Sequence, residues 1–124
     1  MFPEDMVSDQ TEEFFAGEIV REKIFLLLQQ ELPYSVAVKV EHWVDEKTLQ
    51  RISAQIIVER DSQKAIVIGK GGQRLKEIGQ LARMELERIL GCKVFLELRV
   101  RVERDWTKTT NGLLRAGVGH SESA

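Results

Sequence analysis

The chain has little cysteine or proline and no long apolar run, and each shortage excludes a class of protein. It contains one cysteine and two prolines among 124 residues. A single cysteine allows no internal disulfide and no cysteine-based zinc site, which fits a reducing compartment. No apolar run approaches the ~18 residues of a membrane span, and the acidic N-terminal segment has no secretory pattern. We therefore expect one soluble, cytoplasmic domain.

The small net charge hides an uneven distribution. The formal net charge is −2. Residues 1–59 carry five Lys and Arg against twelve Asp and Glu, a balance of −7. Residues 60–104 carry eleven against six, a balance of +5. A basic segment of this kind favours an acidic partner such as nucleic acid, although charge on solvated faces also varies this much by chance.

Hydrophobic periodicity predicts a helix and then a strand hairpin in the first half of the chain. The helical spacing begins after Asp9, which can cap the helix, and runs to about Gln30. Strict alternation then predicts strands over residues 35–44 and 49–60, joined by a short polar turn. The alternation in the first strand places Val36, Val38, Val40 and His42 on one face and Ala37, Lys39, Glu41 and Trp43 on the other.

The second half of the chain predicts two helices and a last strand around a glycine-rich loop. Asp61 and Ser62 offer an N-cap for a short helix over residues 63–68. A longer helix is expected over residues 72–90 because Gly91 can end it. Its core face should carry Leu75, Ile78, Ala82, Leu86 and Ile89. Residues 93–103 alternate regularly and predict the last strand.

These elements together predict an α+β domain in the order α-β-β-α-α-β. The expected architecture is a three-stranded mixed sheet with helices packed on one face. The two-helix connection permits the last two strands to lie parallel. We assign residues 1–10 to a linker or tail, residues 11–104 to the domain, and residues 105–124 to a partly disordered C-terminal extension.

The glycine-rich loop Gly69-Lys70-Gly71-Gly72 stands where a helix begins, and that position suits phosphate. A mononucleotide loop needs G-x-x-x-x-G-K-[ST], which is absent. A dinucleotide fingerprint needs a third glycine where Arg74 stands. The remaining pattern is G-x-x-G between two helices, the loop by which KH domains clamp about four nucleotides. The same glycines could also form only a tight helix–helix turn.

The wider motif resembles a type II KH domain. Val67 to Ile78 reads V-I-G-x-x-G-x-x-L-x-x-I. Three further segments resemble the C-terminal region of the Era family of bacterial GTPases, with likeness over roughly residues 2–115. They are Phe2-Pro3-Glu4-Asp5, Glu18-Ile19-Val20-Arg21-Glu22-Lys23 and Glu31-Leu32-Pro33-Tyr34-Ser35-Val36.

This resemblance implies partners as well as a fold. They are single-stranded RNA at the 3′ end of 16S rRNA, the small ribosomal subunit during its assembly, and an N-terminal GTPase domain. The resemblance also implies peripheral association with the inner face of the cell membrane. GTP and Mg²⁺ belong to the GTPase domain, whose phosphate loop is absent from this sequence. We therefore expect an excised fragment or a KH-only relative with no catalytic residues, metal or cofactor of its own.

The KH interpretation assigns RNA contacts to the loop and to the elements beside it. The backbones of Gly69, Gly71 and Gly72 should meet phosphates together with Lys70, and Arg74 and Lys76 should add positive charge. The candidates to touch bases are Ile57, Ile66, Ile68 and Leu75, in a groove walled by the two helices and the second strand. Ile66, Ile68 and Leu75 also have the spacing of core residues.

Two functions from other classes stay open at this point. The first helix carries Phe14, Phe15, Phe25 and Leu26, an apolar stripe wider than one sheet needs, so the chain could be a protein-interaction module without RNA contact. An enzyme built on Glu41, His42 and Asp45 has no supporting spacing. Trp43 and Trp106 favour packing over base stacking, because tryptophan buries much apolar area.

Overall fold

The structure is a computed structural model, and it describes residues 9–28 and 36–104. Its elements are α1 (Asp9–Leu28), β1 (Ala37–Asp45), β2 (Leu49–Val58), α2 (Asp61–Ile68), a single 3₁₀ turn (Lys70–Gly72), α3 (Gln73–Leu90) and β3 (Lys93–Val102). This order confirms the α-β-β-α-α-β prediction. The expected helix end at Gln30, the tail with Trp106 and the termini lie outside the described residues.

The three strands form a mixed sheet in the order β1-β2-β3. β1 and β2 are antiparallel, whereas β2 and β3 are parallel. A parallel pair needs a long crossover, and here α2, the 3₁₀ turn and α3 supply it. Within residues 9–28 and 36–104, β2 is the central strand and β3 has a neighbour on one side only. One edge of β3 is therefore available for contacts other than strand pairing.

The core lies between the helices and one face of the sheet, which we call the inner face. β2 contributes four alternate side chains to it, and all four are buried as the period of two predicts: Ile52, Ala54, Ile56 and Val58. Ile24 of α1 and Ile78 of α3 are fully buried against them. Ile89 was also expected in the core, but this side chain is exposed at the last turn of α3.

A β-bulge in β1 changes which residues face the core. The pairing with β2 runs from Val40 opposite Ala54 directly to His42 opposite Ser53, so Glu41 is an extra residue. An extra residue shifts the alternation by one and moves the following side chains to the other face. The predicted faces are therefore wrong beyond Val40. His42 is exposed, and Trp43 packs against the core.

The start of α2 differs from the prediction because a side chain further along caps it. The N-cap residue is Arg60, and the helix begins at Asp61 rather than Gln63. The side-chain oxygen of Gln63 accepts hydrogen bonds from the backbone N–H groups of Glu59 (2.8 Å) and Arg60 (2.9 Å). These contacts satisfy donors that a helix start leaves unpaired. They fix the direction in which the chain leaves β2 for the glycine-rich loop.

Candidate nucleic-acid interface

The glycine loop, which we define as Gly69–Gly72, turns the chain between α2 and α3 with three positive φ angles. These are 75° at Gly69, 63° at Gly71 and 79° at Gly72. A β-carbon added to Gly69 would lie 2.6 Å from that of Arg74, whereas one at Gly71 or Gly72 would meet no atom within 4 Å. Gly69 is thus required by internal packing. The space outside Gly71 and Gly72 is open to a ligand.

Arg74, at the start of α3, is directed towards α1. Its Nη1 donates a hydrogen bond to the backbone oxygen of Leu27 (3.0 Å), and its Nε lies 3.7 Å from Glu77. Leu27 is in the last described turn of α1 (Asp9–Leu28), and a cation near a helix C-terminus is favoured by the helix dipole. Arg74 therefore joins the two helices, and its charge is partly used inside the fold.

Two lysines at the loop differ from Arg74 because they face solvent and are not engaged in contacts between described elements. Lys70 in the loop and Lys76 on the first turn of α3 are both exposed. Neither forms an ion pair with another residue of the described chain. Their ammonium groups are compact, strongly hydrated charges on flexible stems. They are consequently able to meet an incoming anion without first breaking an internal contact.

A groove runs from the glycine loop along α3 and the free edge of β3. Its volume is about 600 Å³. The lining residues come from one side of α3 and from the first half of β3: Gly72, Leu75, Lys76, Gly79, Gln80, Arg83, Phe95, Leu96, Glu97 and Leu98. Gly79 is where α3 comes close to β3. A β-carbon on Gly79 would be 3.6 Å from Leu98 Cδ1. The groove is therefore a cleft with α3 on one side and the free edge of β3 on the other.

Charges of both signs line the groove, and the lining Arg83 is already engaged with a carboxylate outside the lining. Arg83 Nη1 donates to Glu87 Oε2 at 3.0 Å. The same oxygen accepts the backbone N–H of Val94, also at 3.0 Å. The hydrogen bond from Val94, followed by Arg83, lowers the pKa of Glu87. This arrangement fixes the end of α3 to the start of β3. Lys76, also on the groove wall, forms no ion pair with any residue that the structure describes.

Apart from Arg74 and Ile57, the predicted RNA-contact residues divide into three groups in the structure. Gly72, Leu75 and Lys76 line the groove, and Gly69, Lys70 and Gly71 form the loop at its end. Ile66 and Ile68 are half-buried, do not line the groove, and Ile66 packs against the core.

Ile57 does not fit the interface that was expected of it. Its side chain is 0% exposed, and it contacts Ala37 in a small cluster separate from the main core. Such a side chain presents no surface to a base. The groove also uses β3, not the second strand β2, as its strand wall. The strand wall differs from the expected one because β-strand alternation predicts only which face of a strand is buried. Which strand lies at the edge of the sheet depends on how the strands pair.

Sequence reasoning missed the groove residues beyond the first turn of α3. These are Gly79, Gln80, Arg83, Phe95, Leu96, Glu97 and Leu98. The alternation did assign Leu96 and Leu98 to the core side, and both are half-buried against it. Phe95 was the available signal, because it is an aromatic residue on the strand face that otherwise carries Glu97, Arg99 and Arg101.

In residues 9–28 and 36–104, no group of three or more His, Cys, Asp or Glu side chains could hold a metal ion. None of the helices in those ranges has the length and apolar character needed to cross a bilayer.

Comparison with known proteins gives the same assignment as the geometry of the loop and groove. The family model described as KH domain matches residues 31–107. Two solved structures of Era are similar to this chain, each with 46% identity and a TM-score of 0.84. One is a substituted form of Aquifex aeolicus Era bound to GDP and AlF4⁻. The other is Era with MgGDPNP and nucleotides 1506–1542 of 16S ribosomal RNA.

The extent of these matches defines what they show. The similarity to Era covers 94% of this chain, which spans only 40% of the Era chain, a share that fits its C-terminal KH domain. The family match covers more than half of the sequence and includes β1, β2, both helices of the crossover and β3. The chain therefore belongs to the KH domain family.

Proposed function

We propose that this domain binds single-stranded RNA, with the RNA backbone on the glycine loop and the bases in the groove. The observation that carries the proposal is the position of the groove. It begins at Gly72, follows the free edge of β3 and has the exposed cation of Lys76 on its wall. A groove with these properties offers both a phosphate site and a base site to one strand.

Phosphate binding would use the backbone and the two exposed lysines, Lys70 and Lys76. The space outside Gly71 and Gly72 is open, so a phosphate could approach the chain closely there. The N-terminus of α3, an 18-residue helix, presents the positive end of its dipole to that space. Lys70 and Lys76 add two charges. Contacts of this kind position the strand without reading its sequence.

Base recognition would use the strand side of the groove. An edge strand presents N–H and C=O groups that no other strand satisfies, and these can pair with base edges. Leu75, Leu96 and Leu98 form half-buried apolar surface beside that edge. Single-stranded bases are unstacked and can enter such a groove, whereas paired bases cannot. The proposal therefore specifies single-stranded RNA.

The similarity to Era supports a proposal for the identity of the RNA. One Era structure contains nucleotides 1506–1542 of 16S ribosomal RNA, so we take the 3′ end of 16S rRNA as the target and small-subunit assembly as the setting. GTP and Mg²⁺ would act in an N-terminal GTPase domain of an Era-like protein. A cytoplasmic location with peripheral contact to the membrane belongs to the same proposal.

An NMR titration with a short single-stranded RNA from the 3′ end of 16S rRNA tests the proposal. Shifts should concentrate in the glycine loop, the first half of α3 and the first half of β3. The double variant Lys70→Asp with Gly71→Asp adds negative charge at the phosphate site, and Asp tolerates a left-handed conformation better than most residues. We expect the variant to fold and to lose RNA affinity.

The matched control is Lys47→Asp with Thr48→Asp, which makes the same change of charge in the turn before β2. This turn lies at the opposite end of β2 from α2. The control should bind RNA nearly as the unaltered chain does. Equal affinities of the loop variant and the unaltered chain would contradict the proposal. Equal losses of RNA affinity in both double variants would mean that the chain binds RNA only by non-specific charge attraction.

The exposed face of α1 favours a second candidate function, a protein-interaction module. Phe14, Phe15 and Leu26 are exposed on this helix, and Phe25 is half-buried with the Arg21 guanidinium 4.7 Å from its ring centroid. Large apolar side chains grouped on one face are typical of a binding surface. On this hypothesis the RNA titration produces no shifts in the groove.

A further inference from the structure

Phe95 is the groove residue that neither the fold nor the phosphate site explains. It lies on the sheet face opposite the core, and its side chain is 51% exposed. Single exposed apolar residues are common on protein surfaces and need no explanation by themselves. Phe95 differs because it lines the groove together with Arg83 and Gln80. Its ring therefore borders a space that we have assigned to RNA.

Arg51 holds one side of this ring. Arg51 and Phe95 are directly paired across β2 and β3, and the guanidinium carbon lies 5.3 Å from the ring centroid. The guanidinium is itself fixed by Glu46, with 3.0 Å between Arg51 Nε and Glu46 Oε2. Since β2 is on one side of β3 and the groove is on the other, the ring is supported on the sheet side and open towards the groove.

We infer that Phe95, supported by Arg51, is a stacking platform for one nucleobase at the end of the groove away from the glycine loop. This inference rests on the proposed RNA-binding function. Aromatic rings stack on bases of any identity, and a base on Phe95 would lie beside the polar groups of Gln80 and Glu97. Those groups can hydrogen-bond to base edges.

The position of Phe95 places this base beyond the nucleotides at the loop. Gly79 faces Leu98 and lies about 10 Å along α3 from Gly72, at 1.5 Å per residue. Phe95 lies about 10 Å further from the loop along β3, at about 3.3 Å per residue. The platform would therefore engage a strand long enough to continue past the loop, and a shorter strand at the loop would not reach it.

The test combines a protein variant with altered RNAs. The affinity of the full chain is measured by fluorescence anisotropy for a single-stranded RNA and for a series with one abasic nucleotide at each successive position. We expect Phe95→Ala to weaken binding of the intact RNA about five-fold or more. One abasic position should cost the unaltered chain a similar factor and should cost Phe95→Ala nothing further. Phe95→Trp should retain the affinity.

The control is Phe14→Ala, which removes an equally exposed phenyl ring (51%) from α1, outside the groove. It should leave every affinity unchanged. Thermal melting checks the folding of each variant, and Arg51→Ala supplies a second variant that keeps the ring but removes its support. Arg51→Ala should weaken binding of the same RNAs by a smaller factor than Phe95→Ala does. The abasic nucleotide that lowers the affinity of the unaltered chain should lower the affinity of Arg51→Ala by less.

Three results would overturn the platform. The first is that Phe95→Ala binds all the RNAs with unchanged affinity. The second is that Phe95→Ala and an abasic nucleotide lower the affinity independently of each other at every position. The third is that removal of the ring changes only the oligomeric state. The loop variant separates this failure from that of the proposed function. If Lys70→Asp with Gly71→Asp loses affinity and Phe95→Ala does not, RNA binding stands and only the platform fails. If the loop variant also binds normally, the proposed function fails with it.

Discussion

The α-carbon of Gly69 is so close to Arg74 that a β-carbon on Gly69 would lie 2.6 Å from the Arg74 β-carbon and 2.9 Å from its backbone nitrogen. The backbone angles of Gly69, φ 75° and ψ 177°, also fall in a region that is essentially restricted to glycine. Two independent causes thus require glycine here. Arg74 in turn is held by the carbonyl of Leu27, so the loop, α3 and α1 constrain one another.

The first prediction concerns the different requirements at the glycines. Gly69→Ala should lower the free energy of unfolding by about 1–3 kcal/mol, because the backbone is strained and the β-carbon collides with Arg74. Gly71→Asn should cost less, since asparagine tolerates the left-handed region and the space there is empty. Urea denaturation measures both. Equal costs would show that packing against Arg74 is unimportant.

The second prediction is that Arg74 contributes more to stability than to RNA binding. Arg74→Ala removes the hydrogen bond to Leu27 and should lower the free energy of unfolding by about 1 kcal/mol, a value reduced from the usual range because the side chain is partly exposed. RNA affinity, compared at a temperature where both proteins are folded, should fall less than it does for Lys76→Ala. A larger loss of RNA affinity in Arg74→Ala than in Lys76→Ala would mean that Arg74 contacts the RNA.

The third prediction is that Lys76 acts on RNA through its charge. Lys76→Ala should change the free energy of unfolding by less than about 0.5 kcal/mol, since the side chain is exposed and has no described partner. The slope of log K against log salt should become shallower by about 0.7, the value for one contact to a single strand. The control is Lys47→Ala in the turn before β2. An unchanged slope for Lys76→Ala would remove Lys76 from the phosphate contacts.

The fourth prediction is a dependence of stability on acid pH at Glu87. Its pKa lies below the ordinary value of 4.5 because the Val94 N–H and then Arg83 favour the carboxylate. A lowered folded-state pKa stabilises the protein above the unfolded-state value, and this contribution is lost as the pH falls through the lowered value. Glu87→Gln should therefore be less stable than the unaltered chain at pH 7, and the difference should shrink below about pH 4.5.

Urea denaturation at several values from pH 3 to pH 7 measures this difference. Glu12→Gln is a suitable control, because Glu12 is exposed on α1. It should run parallel to the unaltered chain over the whole range. A constant difference between Glu87→Gln and the unaltered chain would mean that the carboxyl group stabilises the junction of α3 and β3 by packing alone.

Periodicity predicted most of the fold because it reports which side of an element is buried. The inner face of β2, the helix α3 up to Gly91 and the regular alternation of β3 all followed from local patterns. The bulge at Glu41 did not, and it exchanged the faces of His42 and Trp43. An inserted residue is invisible to a pattern of alternating hydrophobicity when the residues that follow it are amphipathic, as His42 and Trp43 are, and only the pairing with β2 reveals it.

The loop was similarly accessible from the sequence, whereas the groove beside it was not. Three glycines and a lysine between two helical patterns sufficed to predict the turn, and phosphate binding there stays a prediction. The same pattern gave Lys76 and Arg74 equal roles, and the structure separates them through the contact of Arg74 with Leu27. Ile57 was expected to touch bases and is instead fully buried.

The sequence alone determined the element order, the family motif and the location of the glycine loop, because these depend on residues close together in the chain. The tertiary structure alone decided that β3 is an edge strand beside α3 and that Phe95 reaches the groove. These features depend on strand order and on the packing of a helix against a strand edge. The β2–β3 pairs that set the strand order join residues 44 positions apart, and no local pattern encodes which strand edge stays free.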